Sequence, residues 1–340
     1  MIKAREASFD EVVSVAKGLG VELPIEQTPV WFDYEATIEG RTPWGQVVLE
    51  DDGEPVAVMG LLDYETHGYH YLRAHHGPVW ASEPNAVEER EAIVALREHV
   101  RSKDRRPVFV RMAVKADLEL CRPTLSTVPY DLTVLVDLTG GDDAILERMK
   151  KRGRRDVRKA LRECPVECAD ETERATESFL EYYEVMLDTC ERDGFAPAPI
   201  TDYEDMIRIL GPEHCRVYAG RLDGHLVTWS IDTIGETRAT RYYGASLSGD
   251  MRAYATDKLC YFEFCDLGAN KGCTTYDMMG IGSEFSPSIM GLNTFKTKFS
   301  QEVAPVSPDR DVPLKGAFYA ALTSAKRLRD RLADRRGGRS

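Results

Sequence analysis

The sequence predicts an α/β protein, of the α+β kind, with two copies of a mixed sheet flanked by helices. Its 340 residues exceed what one hydrophobic core normally serves, so two domains are expected. An apolar run, an Asp-Gly turn and a second apolar run occur twice, at residues 47–59 and 217–229, and each set is typical of a β-hairpin. A tyrosine-rich strand, a helix and a further strand follow each hairpin. This order predicts a duplicated β-β-β-α-β plan.

The elements of the first copy follow its hairpin directly. A strand is predicted at 69–73, a helix at 88–100 and a last strand at 108–112. Ile93 and Leu96 fall on one face of the helix, which predicts that they lie in the core.

The second copy opens with a strand at 132–138 and a basic helix at 148–161. Its hairpin leads to a strand at 241–245, a helix at 254–270 and a strand at 275–281.

Three further segments complete the chain. A helix at 173–192 ends before the proline-rich loop 196–199, because prolines break helices and stiffen loops. Residues 309–313 are predicted to be a linker, and a last helix covers 314–332. The predicted divisions are 1–144 for the first domain, 145–312 for the second, and 313–340 for the C-terminal helix and basic tail.

Composition indicates a globular chain, with 43% hydrophobic and 30% charged residues. The N-terminus lacks the apolar run of a signal peptide, and no stretch is long enough to span a bilayer. We expect a cytoplasmic monomer that contacts membranes, if at all, peripherally at the inner face.

Neither a metal nor a cofactor is predicted. The eight cysteines form no Cys-x-x-Cys pair, and in a reducing compartment they are usually small buried hydrophobes. His67, His70, His75 and His76 alternate with tyrosines, and no carboxylate or cysteine completes a ligand set at suitable spacing.

Three short motifs carry the candidate chemistry. Residues 241–246 read Arg-Tyr-Tyr-Gly-Ala-Ser and supply phenols, with a glycine where backbone can approach a ligand. Residues 277–281 read Asp-Met-Met-Gly-Ile, and residues 291–299 read Gly-Leu-Asn-Thr-Phe-Lys-Thr-Lys-Phe. The last motif sets Lys296 and Lys298 between aromatic residues on a predicted short strand. A fixed cation there suits a reaction that develops negative charge on an oxygen.

Together these motifs resemble the Fem family of aminoacyl-tRNA-dependent peptidyltransferases, whose members carry Tyr-x-Gly-Ala-Ser, Asp-x-x-Gly-Ile and Gly-Leu-x-x-Phe-Lys-x-x-Phe segments in this order. The resemblance extends over nearly the whole chain and is to the compact members without a coiled-coil arm. It implies two acetyltransferase-like (GNAT) domains in tandem, with the last helix packed back on the first domain. It also implies transfer of an amino acid from aminoacyl-tRNA to the stem-peptide amine of a peptidoglycan precursor, either lipid-linked or UDP-MurNAc-pentapeptide.

The resemblance also implies catalytic residues. The tRNA ester is already activated, so the protein must orient two substrates and stabilise an oxyanion. Lys296, preceded by Phe295, matches the family's Phe-Lys pair and is predicted to stabilise that charge. The alternative is an exposed lysine that only protects a sheet edge. Asp277, Glu284 and Glu83 are candidates to accept the amine proton, beside solvent or the substrate itself.

Acceptor recognition follows the family less closely. Segments 27–31 and 76–79 match those that line the family's acceptor groove. Members that bind a nucleotide-linked precursor have a lysine where this chain has Glu35. They also have an arginine just before a tyrosine-containing segment that matches residues 198–203, where this chain has prolines. Losing cations that hold a diphosphate disfavours that acceptor. Tyr203, Tyr242 and Tyr243 could line the groove, but they are equally consistent with core or rim positions. The predicted substrate-binding residues are Gln27, Trp31, Gly77, Pro78, Tyr203, Arg241, Tyr242, Tyr243 and Lys298.

The net charge of -13 hides nine basic residues between positions 148 and 162, and a second basic group at 326–339. Local basic clusters attract phosphates, although a single charge run is often only a solvated helix face. Similarity to the family's Lys/Arg-rich helix, which ends here in Arg158-Lys159-Ala160, favours phosphate contact for the first run. The predicted tRNA-binding residues are Lys150, Lys151, Arg154, Arg155, Arg158 and Lys159.

Three alternatives remain open. An acyl-CoA-dependent N-acyltransferase needs an Arg/Gln-x-x-Gly-x-Gly/Ala loop opening a helix, and residues 241–250 lack its second small residue. A non-catalytic relative would show decay of the Phe-Lys signature, which is intact. tRNA-dependent amide formation on a peptide outside wall synthesis is the third.

Overall fold

A computed structural model describes residues 1–249 and 252–337. Asp250, at the end of the segment compared with a coenzyme A loop, and Arg339, in the basic tail, lie outside these ranges. The chain forms two compact units, Met1–Pro129 joined by the segment from Ser307 onward, and Tyr130–Val306. These boundaries differ from the predicted divisions at 144/145 and 312/313. Within the described residues, no helix is both apolar and long enough to cross a membrane.

The elements run in the following order along the chain. The strands are β1 (Ile2–Ala7), β2 (Arg41–Asp51), β3 (Glu54–Thr66), β4 (Tyr69–Arg73), β5 (Val79–Trp80), β6 (Pro107–Ala113), β7 (Leu132–Asp137), β8 (Glu167–Asp170), β9 (Cys215–Leu222), β10 (His225–Ile234), β11 (Arg238–Ser246), β12 (Thr275–Gly280), β13 (Ala304–Pro305) and β14 (Asp309–Pro313). The helices are α1 (Phe9–Leu19), α2 (Pro29–Glu35), α3 (Ala86–Lys103), α4 (Asp142–Arg148), α5 (Lys151–Glu163), α6 (Thr172–Glu177), α7 (Leu180–Asp193), α8 (Ile200–His214), α9 (Arg252–Asn270), α10 (Asn293–Lys296) and α11 (Gly316–Gly337). Short 3₁₀ turns cover Ile25–Gln27 and Pro287–Leu292.

The first unit holds a mixed sheet in the order β1-β2-β3-β4-β6-β14, with β5 paired to β3. Only β4 and β6 run parallel. The predicted hairpin is present, and both turn residues, Asp52 and Gly53, have positive φ angles of 49° and 92°. That geometry matches the right-handed twist of the flanking strands. Helix α3 buries Ile93 and Leu96, as its periodicity predicts.

The predicted linker at 309–313 is instead strand β14, paired antiparallel with β6. Its Asp311 forms a fully buried ion pair with Arg111, at 2.7 Å between Oδ1 and Nε. Helix α11 packs on the same sheet, with the Tyr319 ring 5.4 Å from that of Phe109. The C-terminal segment is therefore part of the first unit's core.

The second unit holds a sheet in the order β13-β7-β12-β11-β10-β9-β8, with β11 and β12 parallel. Its hairpin also turns through positive φ angles, 50° at Asp223 and 82° at Gly224. Helix α9 buries Leu259, Phe264 and Leu267 against this sheet. Two mixed sheets flanked by helices confirm the predicted fold class.

Two predicted helices differ from the structure. The basic helix predicted at 148–161 begins at Lys151 as α5, and Arg148 instead ends α4, a helix that was not predicted. Between them, the Arg154 guanidinium donates to the carbonyl oxygens of Glu147 and Met149 at 2.8 and 2.5 Å. The helix predicted at 173–192 separates into α6 and α7, because Ser178 is extended.

Candidate active site

The candidate site is a wedge in the second sheet. Strands β11 and β12 pair at three positions, which end at Thr240 and Asp277, although β11 continues to Ser246. A cavity of about 590 Å³ lies where the pairing has ended. Residues of β11, β12, α7, α9 and the Phe-Lys segment line it. All three sequence motifs therefore contribute residues to the lining of this cavity.

The Asp-Met-Met-Gly-Ile motif bends one side of the wedge. Pairing of β12 with β7 shifts between Asp277 and Gly280, and Met279 has a φ of 60°. A left-handed conformation at such a residue costs about 1–2 kcal/mol, and here the Asp277 carboxylate stabilises it by accepting from the Met279 amide at 2.8 Å. A side chain at Gly280 would lie 2.3 Å from the Tyr130 ring, so only glycine fits.

The Phe-Lys segment is helical, so the predicted short strand is wrong. A 3₁₀ turn leads directly into α10, and the Thr297 amide donates to the Asn293 carbonyl at 3.0 Å. The Asn293 side chain also bonds both the amide and the carbonyl of Gly282, at 2.7 and 2.9 Å. These long-range bonds fix the start of the helix and aim Lys296 at β12.

The Lys296 ammonium lies on the cavity wall and donates to the carbonyl oxygens of Gly280 and Met279, at 2.9 and 3.3 Å. Burial, and then the charge of Arg241, lower its pKa from 10.5 to about 8, against an opposing effect of Asp277. Such a group is a strong donor that is still mostly protonated near neutral pH.

Lys296 also differs from the other cations around the cavity. Within the part of the chain that the structure describes, it has no carboxylate partner within 4 Å, whereas the other three cations of the wall do. Those pairs are Arg192 with Asp193, Arg241 with Glu263, and Lys298 with Asp257. Among the described residues of the wall, the Lys296 charge is thus the one without a carboxylate partner.

Lys298, predicted to bind substrate, forms a buried ion pair instead. Its ammonium lies 2.6 and 2.7 Å from the two oxygens of Asp257, between the rings of Phe295 and Phe299. Its carbonyl accepts from the Lys150 amide at 3.1 Å. The side chain therefore anchors the Phe-Lys segment to α9, and Asp257 is a site residue that the sequence prediction missed.

The tyrosines have two different environments. Tyr242 and Tyr243 line the cavity. Tyr203 is buried in an aromatic core, stacked on Phe179 at 5.3 Å, and its ring lies 4.8 Å from that of Tyr243. Its contact with the site is through Tyr243, so it supports the wall from behind.

The four residues predicted for an acceptor groove are buried inside the first unit. Gln27 donates to the His75 carbonyl and accepts from the Gly60 amide, both at 2.6 Å. Trp31 is fully buried, and Gly77 and Pro78 are buried beside Gln27. In the structure the Gln27 side chain joins two internal segments, because both ends of its amide bond to backbone groups within the unit.

The candidate proton acceptors do not gather at the site. Asp277 accepts from Thr133 at 2.5 Å and from the Met279 amide, so it holds the bend. Glu83 is exposed and paired with Lys115 in the first unit, and Glu284 is exposed. None of the three is among the described residues that line the cavity.

Helix α5 presents a basic face beside the Phe-Lys segment. It buries Gly153, Val157 and Ala160 and carries seven basic residues against two acidic ones. A side chain at Gly153 would lie 2.1 Å from the Lys298 carbonyl oxygen, so the helix packs directly on that segment. One shallow groove is lined by Lys151, Arg152, Arg154, Arg155, Arg158, Lys159 and Arg162. Of the predicted tRNA-binding set, Lys150 lies before the helix as its N-cap.

Comparisons with known proteins define the class. Residues 147–295 match the family model described as an acetyltransferase (GNAT) domain. Together with the two mixed sheets, this match shows that the chain has the GNAT fold. No curated protein matches the sequence.

Solved structures specify the fold further. FemX has a TM-score of 0.70 at 16% identity, and the match covers 94% of this chain and 99% of FemX. A tandem GNAT protein from the clavulanic acid biosynthesis pathway scores 0.53 at 11% identity, covering 92% and 99%. The C-terminal domain of a candidate lysylphosphatidylglycerol synthetase from Agrobacterium fabrum scores 0.51 at 16% identity, covering 92% and 96%. The chain has a Fem-like tandem GNAT fold, as the sequence motifs predict.

Proposed function

We propose that this protein transfers an aminoacyl group from aminoacyl-tRNA to the stem-peptide amine of a peptidoglycan precursor. The observation that carries the proposal is Lys296, which lines the wedge and whose ammonium has no carboxylate partner within 4 Å among the described residues. The adjacent basic face of α5 supplies a surface for the tRNA phosphates.

The chemistry requires little beyond orientation and charge stabilisation. The acceptor amine attacks the ester carbonyl, a carbon–nitrogen bond forms, and the carbonyl electrons move onto oxygen. Lys296 donates a hydrogen bond to that oxyanion with the one ammonium hydrogen that its two carbonyl contacts leave over. The carbonyl double bond then re-forms as the carbon–oxygen bond to the ribose breaks, and the proton lost by the amine passes to the departing ribose oxygen, directly or through solvent.

The first unit favours a lipid-linked acceptor. Glu35 is buried, 2.9 Å from the Arg41 guanidinium and 2.8 Å from the Tyr64 hydroxyl. The position at which nucleotide-binding Fem members carry a lysine therefore offers no free cation to a diphosphate. A lipid-linked acceptor would bring the protein to the inner membrane face.

The direct test is transfer by purified protein from charged tRNA to each precursor form. Lys296→Met should reduce transfer by about 10²–10³-fold, the effect of removing one oxyanion donor. Lys271→Met, at a partly exposed lysine outside the cavity lining, should leave the transfer rate unchanged.

Mass spectrometry of muropeptides with and without the gene would identify the added residue, and unchanged muropeptides would reject a role in wall synthesis.

An acyl-CoA donor is the second candidate, favoured by the acetyltransferase family match over residues 147–295. A ligand that binds only the folded protein raises its melting temperature. A shift with coenzyme A and none with aminoacyl-tRNA would favour this alternative.

A further inference from the structure

Four polar side chains from four elements meet inside the second unit, next to the wedge. Asp232 of β10 and Glu263 of α9 are fully buried. The hydroxyl of Tyr276, on β12, lies 3.1 Å from Asp232 Oδ1 and 2.9 Å from Glu263 Oε2. Arg241 of β11 forms an ion pair with Glu263 and also lines the cavity.

If both acids were ionised, this cluster would have too few hydrogens for its hydrogen bonds. The Tyr276 hydroxyl has one hydrogen but contacts two carboxyl groups, so one of those contacts needs a hydrogen from a carboxyl group. Two buried negative charges would also face a single guanidinium. One of the two acids must therefore be protonated.

The surroundings identify Asp232 as the protonated acid. Glu263 receives a hydrogen bond from Ser230 at 2.8 Å in addition to the Arg241 ion pair, which stabilises its charge. Asp232 Oδ2 has no hydrogen-bond partner among the described residues, and a bare carboxylate oxygen is unfavourable there.

The electrostatic balance agrees with this assignment. Burial, and then the negative charge of Glu263, raise the pKa of Asp232 well above its ordinary value. Arg241 and the Tyr276 hydrogen bond act in the opposite direction, and Asp170 of β8 raises the pKa further.

We propose that Asp232 is a neutral carboxylic acid that donates to Tyr276, and that the two together position the Glu263–Arg241 ion pair on the wall of the Lys296 cavity. Asp232 is thus a positioning residue. Its consequence for catalysis rests on the proposed role of Lys296, because Arg241 is the charged group that most lowers the Lys296 pKa. The remaining charged groups of the cavity wall are Arg192, Asp193, Asp257 and Lys298.

Infrared spectroscopy of the wild-type protein tests the protonation directly. A protonated carboxyl group has a C=O stretch that an ionised carboxylate lacks. We expect one such band at neutral pH, shifted by ¹³C labelling of aspartate carboxyl groups and unaffected by labelling of glutamate. A band that follows the glutamate label, or no band, would overturn the assignment.

Substitution provides a second readout. Asp232→Asn should remove the band and leave the melting temperature at neutral pH unchanged or higher, because asparagine mimics the protonated acid. Asp266→Asn is the matched control, since Asp266 accepts from the Tyr218 hydroxyl at 2.7 Å on the same helix as Glu263. It should leave the band in place. A band that persists in Asp232→Asn, or a melting temperature that falls, would reject the proposal.

The pH dependence of stability has a defined sign. The folded pKa of Asp232 is raised, so its contribution is complete below about pH 4 and is lost as the pH rises toward the folded value. Asp232→Asn should therefore gain stability over wild type from about pH 4 upward, measured by denaturant unfolding. An equal slope in both proteins would contradict this. None of these measurements needs a substrate, so they can be read even if the transfer assay fails.

Discussion

At the residue scale, two lysines that are indistinguishable in sequence have opposite roles. Lys296 and Lys298 both follow an aromatic or polar neighbour in Phe-Lys-Thr-Lys-Phe, and an alternating pattern favours a strand. The structure makes the segment helical. Both lysines line the cavity, but the Lys296 ammonium bonds to carbonyl oxygens of β12, whereas the Lys298 ammonium meets Asp257. Asp257 lies three and seven residues before Cys260 and Phe264, on the buried face of α9. A charged residue on the buried face of a helix needs an oppositely charged partner, and this position of Asp257 was the sequence signal for its ion pair with a lysine.

The stability of two matched variants should separate these roles. Lys298→Met leaves Asp257 buried without its partner and should lower the free energy of unfolding by about 3–5 kcal/mol. Lys296→Met removes a buried ammonium whose folded pKa of about 8 is below its ordinary value of 10.5. The lowered pKa means that the charged form is disfavoured in the folded protein, so the ammonium opposes folding below about pH 8, and this cost is relieved only as the pH rises above that value. At neutral pH this variant should therefore be at least as stable as wild type. Denaturant unfolding measures both, and equal losses would contradict the assignment.

The pH dependence of transfer should report the Lys296 ammonium. If its protonated form stabilises the oxyanion, the rate should fall as pH rises through about 8. At about one pH unit above that value roughly a tenth of the ammonium remains, so the rate should drop about tenfold. Single-turnover rates across this range measure the pH at which the transfer rate falls. A fall in rate only near the ordinary lysine pKa of 10.5 would show that burial and the Arg241 charge do not lower the pKa of the group that acts in transfer.

Among the secondary-structure elements, the sequence pattern correctly predicted those whose geometry depends only on neighbouring residues. Both Asp-Gly hairpins are correct, because the turn residues alone determine the geometry. The break between α4 and α5 involves bonds from Arg154 to preceding carbonyls, and the helical Phe-Lys segment involves bonds between Asn293 and Gly282. Side-chain bonds of this kind to the backbone have no periodicity that a sequence pattern can show.

The contact between α5 and the Phe-Lys segment gives a prediction at this scale. Gly153→Ala places a Cβ atom 2.1 Å from the Lys298 carbonyl oxygen, which is backbone and cannot move aside freely. We expect a loss of about 1–3 kcal/mol in unfolding free energy, together with reduced transfer. Gly291→Ala, within the motif but with no atom within 4 Å of the added Cβ, is the control and should change stability by less than about 0.5 kcal/mol. Similar losses in both variants would mean that the close approach is not what α5 requires.

At the scale of the whole molecule, the duplicated plan was predictable but the assignment of its last segment was not. Residues 309–313 contain no strong strand signal, and they form β14 by pairing with β6, about two hundred residues earlier. The burial of Gln27 was unpredictable for a related reason, since its contacts with His75 and Gly60 form only in the folded unit. Order along the chain predicted the number of sheets, whereas burial depends on contacts between distant segments.

The charge distribution of the whole chain gives the last prediction. A net charge of -13 repels nucleic acid, so tRNA binding must depend on the local field of α5. Arg155 and Arg158 have 72% and 52% of their side-chain surface exposed, whereas Arg154 is bound to carbonyl oxygens of α4 and Met149. Arg155→Ala with Arg158→Ala should weaken tRNA binding and reduce the slope of log K against log salt by about 1.4–1.8.

The control for this prediction keeps the same loss of charge outside α5. Arg174 and Arg208 lie in the same unit with 57% and 59% of their side chains exposed, and each has one acidic partner. Replacing both with alanine should leave the salt slope unchanged, because only cations that neutralise phosphates release counterions on binding. If both double variants change the slope equally, the long-range field of the protein and not the α5 surface governs association. If neither does, α5 is a solvated face and the donor binds elsewhere.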